Sequence, residues 1–252
     1  MRITPIILSV LLTATVPASA SLIFSAGAGN LNTISNAVTG TTSASFAGGS
    51  GTFDTTGLNN YNGGIASQQD IDTLLGRLLL DTETVILSLT VDGMTGDLQA
   101  NGYEFGISPD GTGFRPAGHL VFQLRANGQT SKVSPGALVD GDSPATFNLG
   151  ETSIEDGFSG TLTANAQGYT FDFTGVNVAS GTGPTSFSGT FANATQFRNL
   201  FGSGHFYTTA QKNANPMTVT ISTATIQVIP EPGTMGLLLL GAAGLARRLK
   251  RM

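Results

Sequence analysis

Apolar and polar residues alternate along several stretches in the middle of the chain, with the two-residue period of a strand that has one face on a core. The clearest examples are Val85, Leu87, Leu89 and Val91 in one stretch and Tyr169, Phe171 and Phe173 in another. Further strand-like runs are residues 22–24, 44–53, 103–107, 119–124, 161–164, 187–191 and 217–228. In the last run the apolar positions change phase near Ser222 and Thr223, which predicts a bulge or a short break.

Turn-forming residues separate these runs at intervals typical of hairpins. They are Asn62-Gly63-Gly64, Asp92-Gly93, Pro109-Asp110-Gly111, Asn127-Gly128, Asp140-Gly141, Gln167-Gly168 and Gly181-Thr182-Gly183-Pro184. Such residues adopt the backbone angles that tight turns require. Their spacing predicts many short strands.

One segment, residues 67–80, has the helical period instead. Its apolar residues are Ile71, Leu74, Leu75, Leu78 and Leu79, and Ser67 and Asp70 precede them as an N-cap and an early anion. This pattern predicts an amphipathic helix of about three turns, and a shorter helical turn is expected at residues 195–201. We expect both helices only to cover an open end or edge of the sheets. The predicted fold is all-β, a jelly-roll-like β-sandwich with one or two short helices.

The two ends of the chain differ from this body. Residues 1–20 have one cation, an apolar segment and then Ala18-Ser19-Ala20, the pattern of a secretory signal peptide cleaved after Ala20. Near the other end, Pro230, Glu231 and Pro232 precede an apolar run, residues 233–246, and a basic cluster. This cluster consists of Arg247, Arg248, Lys250 and Arg251. The predicted domains are therefore residues 1–20, a sandwich of residues 21–228, and residues 229–252.

The apolar run is shorter than the roughly 20 residues that an untilted membrane-spanning helix needs, so it is a marginal anchor. The cations after it should stay on the cytoplasmic side of the membrane, because positive flanks fix orientation. We therefore expect the body to be exported.

The charge and composition of the body exclude some functions. Six of the eleven Lys and Arg and fifteen of the sixteen Asp and Glu lie between residues 21 and 229, so the body has a net charge of −9. This balance argues against nucleic-acid binding, which needs clustered cations. The chain has no Cys, which excludes disulfides, thiol catalysis and cysteine-ligated metals.

Residues 229–252, with their Pro-Glu-Pro triplet, apolar run and basic end, resemble the PEP-CTERM sorting signal of exopolysaccharide-producing Gram-negative bacteria. The resemblance implies recognition at the inner membrane by an exosortase, which is expected to cut near the triplet. Pro230, Glu231 and Pro232 would then be a recognition element, held extended by the two prolines. The alternative is an ordinary C-terminal anchor whose prolines end the preceding strand.

The body resembles the concanavalin-like and laminin-G-like jelly rolls. The resemblance rests on YTFDFTG at residues 169–175, the strand at 187–191, GSGHFYTTAQ at 202–211 and VTISTATIQV at 219–228. It implies a lectin-like scaffold and transfers no binding residue, because a fold does not fix a function.

The sequence offers few candidates for catalysis. Glu151, Glu155 and Asp156 form the closest acidic cluster, and paired carboxylates are what glycoside hydrolysis requires. Their spacing differs from the strand motif of laminarinase-type enzymes, so we expect a solvated loop. His119 and His205 lack metal-ligand spacing, and no GxSxG motif accompanies them. We therefore expect no enzyme.

Calcium stays open as a cofactor, and no other cofactor is expected. Asp92 with Asp97, and Asp140 with Asp142, supply oxygen ligands of the kind that calcium prefers. Neither pair belongs to an EF-hand loop, and Asp-Gly is also an ordinary turn dipeptide.

Three functions remain under consideration. The first is a structural or adhesive component of the cell surface or of an exopolysaccharide or biofilm matrix, with exosortase, the inner membrane and polysaccharide as partners. The second is a carbohydrate-binding module, for which Tyr61, Tyr103, Tyr169 and Tyr207 are a thin set of stacking residues because Trp is absent. The third is a glycoside hydrolase.

Overall fold

The computed structural model describes residues 19–35, 41–56, 61–95, 98–112, 118–124, 130–134, 146–148, 157–175, 186–212 and 217–230. The chain divides into two units, Ala20–Ile229 and the ends Met1–Ser19 with Pro230–Met252. Nearly all of the described residues belong to the first unit.

The described residues form fifteen strands and two helices, in two sheets. The strands are β1 Ser21–Ser25, β2 Leu31–Ser35, β3 Thr41–Ala47, β4 Ser50–Thr56, β5 Tyr61–Ser67, β6 Glu83–Thr95, β7 Leu98–Ser108, β8 Leu120–Leu124, β9 Thr130–Ser134, β10 Thr146–Asn148, β11 Phe158–Asn165, β12 Gly168–Thr174, β13 Ser186–Thr190, β14 His205–Lys212 and β15 Met217–Pro230. The helices are α1 Ile71–Leu75 and α2 Ala194–Gly202. This confirms the predicted all-β sandwich with one or two short helices, and the number is two among the described residues.

The chain passes repeatedly between the two sheets. The eight-stranded sheet has the order β13-β12-β11-β6-β15-β4-β3, with β1 also paired to β15, and the seven-stranded sheet has the order β10-β9-β8-β7-β14-β5-β2. Strands β5 and β14 belong to the seven-stranded sheet, whereas β6 and β15, which follow them in the chain, belong to the eight-stranded sheet. Buried side chains of both sheets form one cluster, so the sheets enclose a common core.

Aromatic residues from both sheets fill this core, which we call the main core. Phe122 of β8 and Phe173 of β12 face each other across it with ring centroids 4.0 Å apart. Phe105 of β7 contacts Phe171 of β12 edge-on at 6.4 Å, and it also contacts Phe206 of β14 at 5.9 Å. The two contacts with β12 tie the sheets together, because large buried rings contribute much of the apolar area removed from water.

The phase change predicted near Ser222 and Thr223 is present in β15. Met217, Val219 and Ile221 are buried on odd positions, and burial then moves to even positions from Ala224 onwards. β15 pairs with β4 through Ile221 and with β1 from Thr225. The change of phase therefore lies where β15 exchanges one neighbour for another.

The helix predicted over residues 67–80 is wrong in length. α1 begins after Asp70, whose side chain accepts a hydrogen bond from the Thr73 amide, and it ends at Gly76, which has a left-handed φ of 67°. Ser67 is not its N-cap but the last residue of β5. Leu78, expected on the buried face, is 73% exposed, because the chain has already left the helix there. The second predicted helical turn is confirmed as α2.

Two predicted turns are wrong, because their residues lie inside strands. Asn62-Gly63-Gly64 belongs to β5, and Asp92-Gly93 belongs to β6. A Cβ added to Gly64 would lie only 2.0 Å from the carbonyl oxygen of Thr208, so this glycine permits the close approach of β14. Conversely, the single run predicted at residues 44–53 is a hairpin of β3 and β4, which turns at Gly48 and Gly49 with φ of 59° and 89°.

Candidate functional site

The predicted sorting and cleavage residues lie at the limits of the described chain. Pro230 is the partly buried last residue of β15, and Ala20 is exposed just before β1. Ala18, Glu231, Pro232 and the basic residues Arg247, Arg248, Lys250 and Arg251 lie outside the described residues. Within the described ranges, neither helix has the length and apolar character of a candidate membrane span.

The candidate catalytic and calcium residues are mostly outside the described chain as well. These are Glu151, Glu155, Asp156, Asp97, Asp140 and Asp142. Asp92 is described, and it accepts a 2.7 Å hydrogen bond from the Ser222 hydroxyl. In the described part of the chain no three His, Asp or Glu residues are grouped as a metal site.

His205, at the start of β14, lies in a network of backbone and polar contacts. Its Nδ1 is 2.8 Å from the carbonyl oxygen of Ser67, and this oxygen can only accept, so Nδ1 carries the proton. The Ser67 hydroxyl accepts from the Phe206 amide and donates to the Gln69 carbonyl. A Cβ on Gly111 would lie 2.7 Å from His205 Nδ1, so the loop after β7 packs directly on the imidazole. These contacts join the ends of β5, β7 and β14.

A cleft opens beside this network, between the β1–β2 turn and the start of α1. Its volume is about 140 Å³, and its lining residues are Phe24, Gly29, Asn30, Gln68, Gln69 and Leu74. We call it the amide cleft because three of the six residues carry carboxamides. None of these six side chains is ionisable.

Antiparallel pairing brings the two walls of the amide cleft together. Leu31 of β2 pairs with Ser67 of β5, so the residue before β2 and the residue after β5 become neighbours. The Gln68 amide accordingly donates to the Asn30 carbonyl at 2.9 Å. The Asn30 side chain is held within the turn, because it accepts from the Gly27 amide and donates to the Ser25 carbonyl, both at 2.8 Å.

Sequence reasoning missed Asn30, Gln68 and Gln69 as a group. They are separated by nearly forty positions and belong to no motif, so only the pairing of β2 with β5 could have identified them. The tyrosines considered for sugar stacking are placed differently. Tyr103, Tyr169 and Tyr207 are all buried, and burial raises the pKa of the Tyr103 hydroxyl. The side chain of Tyr61 is outside the described set.

The connection from α1 to β6 contains an ion pair between a buried Glu83 and a partly exposed Arg77. The Glu83 side chain is 2% exposed, and its carboxylate accepts from both terminal nitrogens of Arg77 and, at 2.9 Å, from the Leu80 amide. Burial disfavours the charged form of Glu83, but the hydrogen bonds from Arg77 and Leu80 and the charge of Arg77 outweigh it and lower the pKa of the carboxyl. The hydrogen bond to Glu83 raises the pKa of Arg77. The pair fixes a structural connection and lies outside the amide cleft.

Comparison with known families identifies the C-terminal segment. Residues 228–251 match the model of the PEP-CTERM protein-sorting motif, so the chain carries this motif where the sequence predicted it. No curated protein matches the chain.

Several solved structures are similar to the chain in fold. The carbohydrate recognition domain of Emp47p is 16% identical, with 85% of this chain and 94% of that chain covered and a TM-score of 0.46. The Lotus tetragonolobus seed lectin is 10% identical, with 85% and 100% covered and a TM-score of 0.48. Lectin II from Ulex europaeus is 8% identical, with 85% and 99% covered and a TM-score of 0.49. Similarity of this size transfers no ligand, residue role or activity to this chain.

Proposed function

We propose that this exported chain, which carries a PEP-CTERM sorting motif, is a non-enzymatic component of the cell surface or extracellular matrix that an exosortase releases by cutting near Pro230, Glu231 and Pro232. The motif is the observation that carries the proposal. A structural or adhesive role is preferred to hydrolysis because the spacing of Glu151 and Glu155 does not fit the strand motif of glycosidases on such scaffolds.

The position of the motif relative to the sandwich supports this processing. β15 runs to Pro230, and its buried residues up to Val228 belong to the main core. All other described strands precede β15 in the chain. A cut near the triplet would therefore leave every described core residue in the released product, and the sandwich would not have to unfold.

Processing is tested by intact-mass spectrometry of the protein from its native host. The wild-type product should lack Arg247, Arg248, Lys250 and Arg251, whereas the combined variant Pro230→Ala, Glu231→Ala and Pro232→Ala should keep them and remain in the inner membrane. Thr220→Ala, an exposed position of β15 outside the matched motif, is the control and should be processed normally. A wild-type product that keeps its terminal arginines would contradict the proposal, as would normal release of the triplet variant.

Within this role we propose that the matrix partner is polysaccharide. The amide cleft supports this choice, because uncharged groups that both donate and accept hydrogen bonds suit the hydroxyls of a glycan. A glycan-binding screen of the protein, with and without calcium, tests the proposal. Binding to polysaccharide is the expected outcome, and a matrix role without any glycan binding would contradict it.

A further inference from the structure

We propose that the amide cleft binds one uncharged sugar ring at the end of a neutral glycan. The inference rests on the proposed polysaccharide partner and adds to it a place on the protein and a chemical class. It assigns a role to Asn30, Gln68 and Gln69.

The size of the cleft limits the ligand to a single ring. Its volume of about 140 Å³ is well below the roughly 300–1,000 Å³ typical of pockets for drug-sized ligands. The cleft lies between surface turns at one end of β2 and β5, so the rest of a chain could continue into solvent. A terminal residue of a glycan fits these conditions.

The apolar part of the lining is a closed floor with one accessible side chain. Phe24 is 3% exposed and forms the floor, with its ring held against Phe206 at a centroid distance of 5.8 Å, so it excludes water but offers no face for stacking. Leu74 is partly buried against the main core beside it. These two side chains are already ordered by the core, so ligand binding need not immobilise them.

The polar part of the lining supplies both donors and acceptors. Asn30 uses one hydrogen and one acceptor position within its turn, and a carboxamide has two of each. Gln68 donates through Nε2 to the Leu31 carbonyl at 3.2 Å. Its Oε1 can accept a hydrogen bond from a ligand. Gln69 is exposed next to it. A hydroxyl also donates and accepts, so vicinal hydroxyls match such a set.

The charge of the lining favours a neutral ligand. The nearest carboxyl in the sequence is that of Asp70, which accepts a 2.7 Å hydrogen bond from the Thr73 amide at the start of α1. No cation is among the six lining residues to pair with a uronate or sulfate group. The negative charge of the body as a whole also repels anionic sugars.

The test is an NMR titration of the ¹⁵N-labelled full chain in a zwitterionic detergent, which has no sugar headgroup to compete. The probes are the methyl glycosides of glucose, galactose, mannose and N-acetylglucosamine, with methyl glucuronide as the charged comparison. At least one neutral glycoside should shift the side-chain amide signals of Asn30, Gln68 and Gln69 in a saturable way, and the glucuronide should bind more weakly.

Matched glutamine variants locate the site. Gln68→Ala and Gln69→Ala should each weaken binding about fivefold, the effect of one lost hydrogen bond. Gln167→Ala, an exposed glutamine in the β11–β12 turn, should bind as the wild type does. All three positions are on the surface, so the variants should fold.

Three results would overturn the inference: no neutral glycoside shifts the cleft signals, the glucuronide binds at least as tightly, or the cleft variants bind like Gln167→Ala. If the protein binds polysaccharide in the screen but the cleft variants bind as tightly as the wild type, the amide cleft is not the binding site. The proposal of polysaccharide as the partner would then still stand. Because the titration uses purified full chain, its outcome is also independent of whether an exosortase processes the protein.

Discussion

Strands β6 and β11 of the eight-stranded sheet alternate buried and partly exposed residues, whereas β5, β7 and β14 of the seven-stranded sheet are buried on both faces where their side chains are described. β6 alternates without interruption from Glu83 to Val91, and β11 does so along its whole length. In the seven-stranded sheet, residues 63–67, 103–108 and 206–210 are buried at every position. One sheet therefore has a single core face, and the other has two.

The second buried face of the seven-stranded sheet has its own apolar cluster and its own polar groups. We call Ile34, Ala66, Val121 and Tyr207 the outer cluster, because they lie on the face away from the main core. Glu104 and Thr209 are buried on the same face and are bonded to each other. Polar groups on such a face must find partners within the protein, since water does not reach them.

The largest expected effect is on the cost of substituting two adjacent residues of one strand. In β14 both substitutions should be costly, whereas in β6 only one of the two should be. Phe206→Ala and Tyr207→Ala, which are adjacent in β14, should each lower the free energy of unfolding by about 3–5 kcal/mol, because both side chains are fully buried. In β6, Leu87→Ala should cost about 2–5 kcal/mol and its neighbour Ile86→Ala less than about 1 kcal/mol, because Ile86 is partly exposed.

Urea unfolding of the four variants measures these costs, with unchanged m-values as the sign that the unfolded states are comparable. The comparison fails if Tyr207→Ala is as mild as Ile86→Ala. That result would mean that the outer cluster contributes little and that only one face of each sheet stabilises the protein.

The same difference explains why two strands, β5 and β14, were not predicted from the sequence. Every strand of the eight-stranded sheet overlaps a predicted run, although β3 and β4 share one run, residues 44–53. The strands that periodicity did not predict, β2, β5, β9, β10 and β14, all belong to the seven-stranded sheet. Of these, β5 and β14 are buried on both faces, and such a strand need not alternate, so the two-residue period is absent from them. β7 is also buried on both faces at residues 103–108, but its apolar residues alternate with Glu104 and Gly106, so periodicity predicts it.

β5 shows the physical reason most clearly. Its Gly63 and Gly64 were interpreted as a turn, since glycine in a strand usually weakens it. In the fold, a Cβ at Gly63 would lie 2.4 Å from the Thr55 methyl, so both glycines are needed for close packing with neighbouring strands. Such contacts depend on residues distant in the sequence, and local patterns do not contain them.

The helices, the amide cleft and the sorting motif also differ in how far the local sequence predicts them. α2 follows from a local pattern, whereas both ends of α1 differ from the prediction, because Asp70 caps its start and Gly76 ends it in a left-handed conformation. The amide cleft requires the register that places Leu31 opposite Ser67. The sorting motif, in contrast, is a continuous stretch of the chain and was predicted from the residues alone.

The Arg77–Glu83 pair, in the connection from β5 to β6, tests how much a buried charge contributes to the free energy of unfolding. Arg77→Met removes the partner of the buried Glu83 carboxylate and should lower the free energy of unfolding by about 2 kcal/mol, less than for a fully buried pair because Arg77 is 45% exposed. Arg198→Met removes the 2.8 Å pair with Asp81, in which both side chains are nearly half exposed, and should cost less than about 0.5 kcal/mol.

The pH dependence of stability provides a second measurement of the Arg77 variant. Because the pKa of Glu83 is lowered in the folded protein, its contribution is present above the ordinary Glu pKa of about 4.3 and is lost as the pH falls through the lowered value. In Arg77→Met this acid-side loss should shrink, since burial alone raises that pKa. Equal acid sensitivity of wild type, Arg77→Met and Arg198→Met would contradict the assignment.

The smallest expected effect is the loss of stability when one hydrogen bond is removed from the outer face of each sheet. The Ser222 hydroxyl bonds Asp92 at 2.7 Å on the exposed face of the eight-stranded sheet, and the Thr209 hydroxyl bonds Glu104 at 3.3 Å on the buried face of the seven-stranded sheet. Thr209→Val should nevertheless cost more, about 1.5 kcal/mol against 0.5 kcal/mol or less for Ser222→Ala, because water replaces the lost partner only at the exposed site. Chemical denaturation of both variants decides this, and a larger cost for Ser222→Ala would mean that bond length, not burial, sets the value of these contacts.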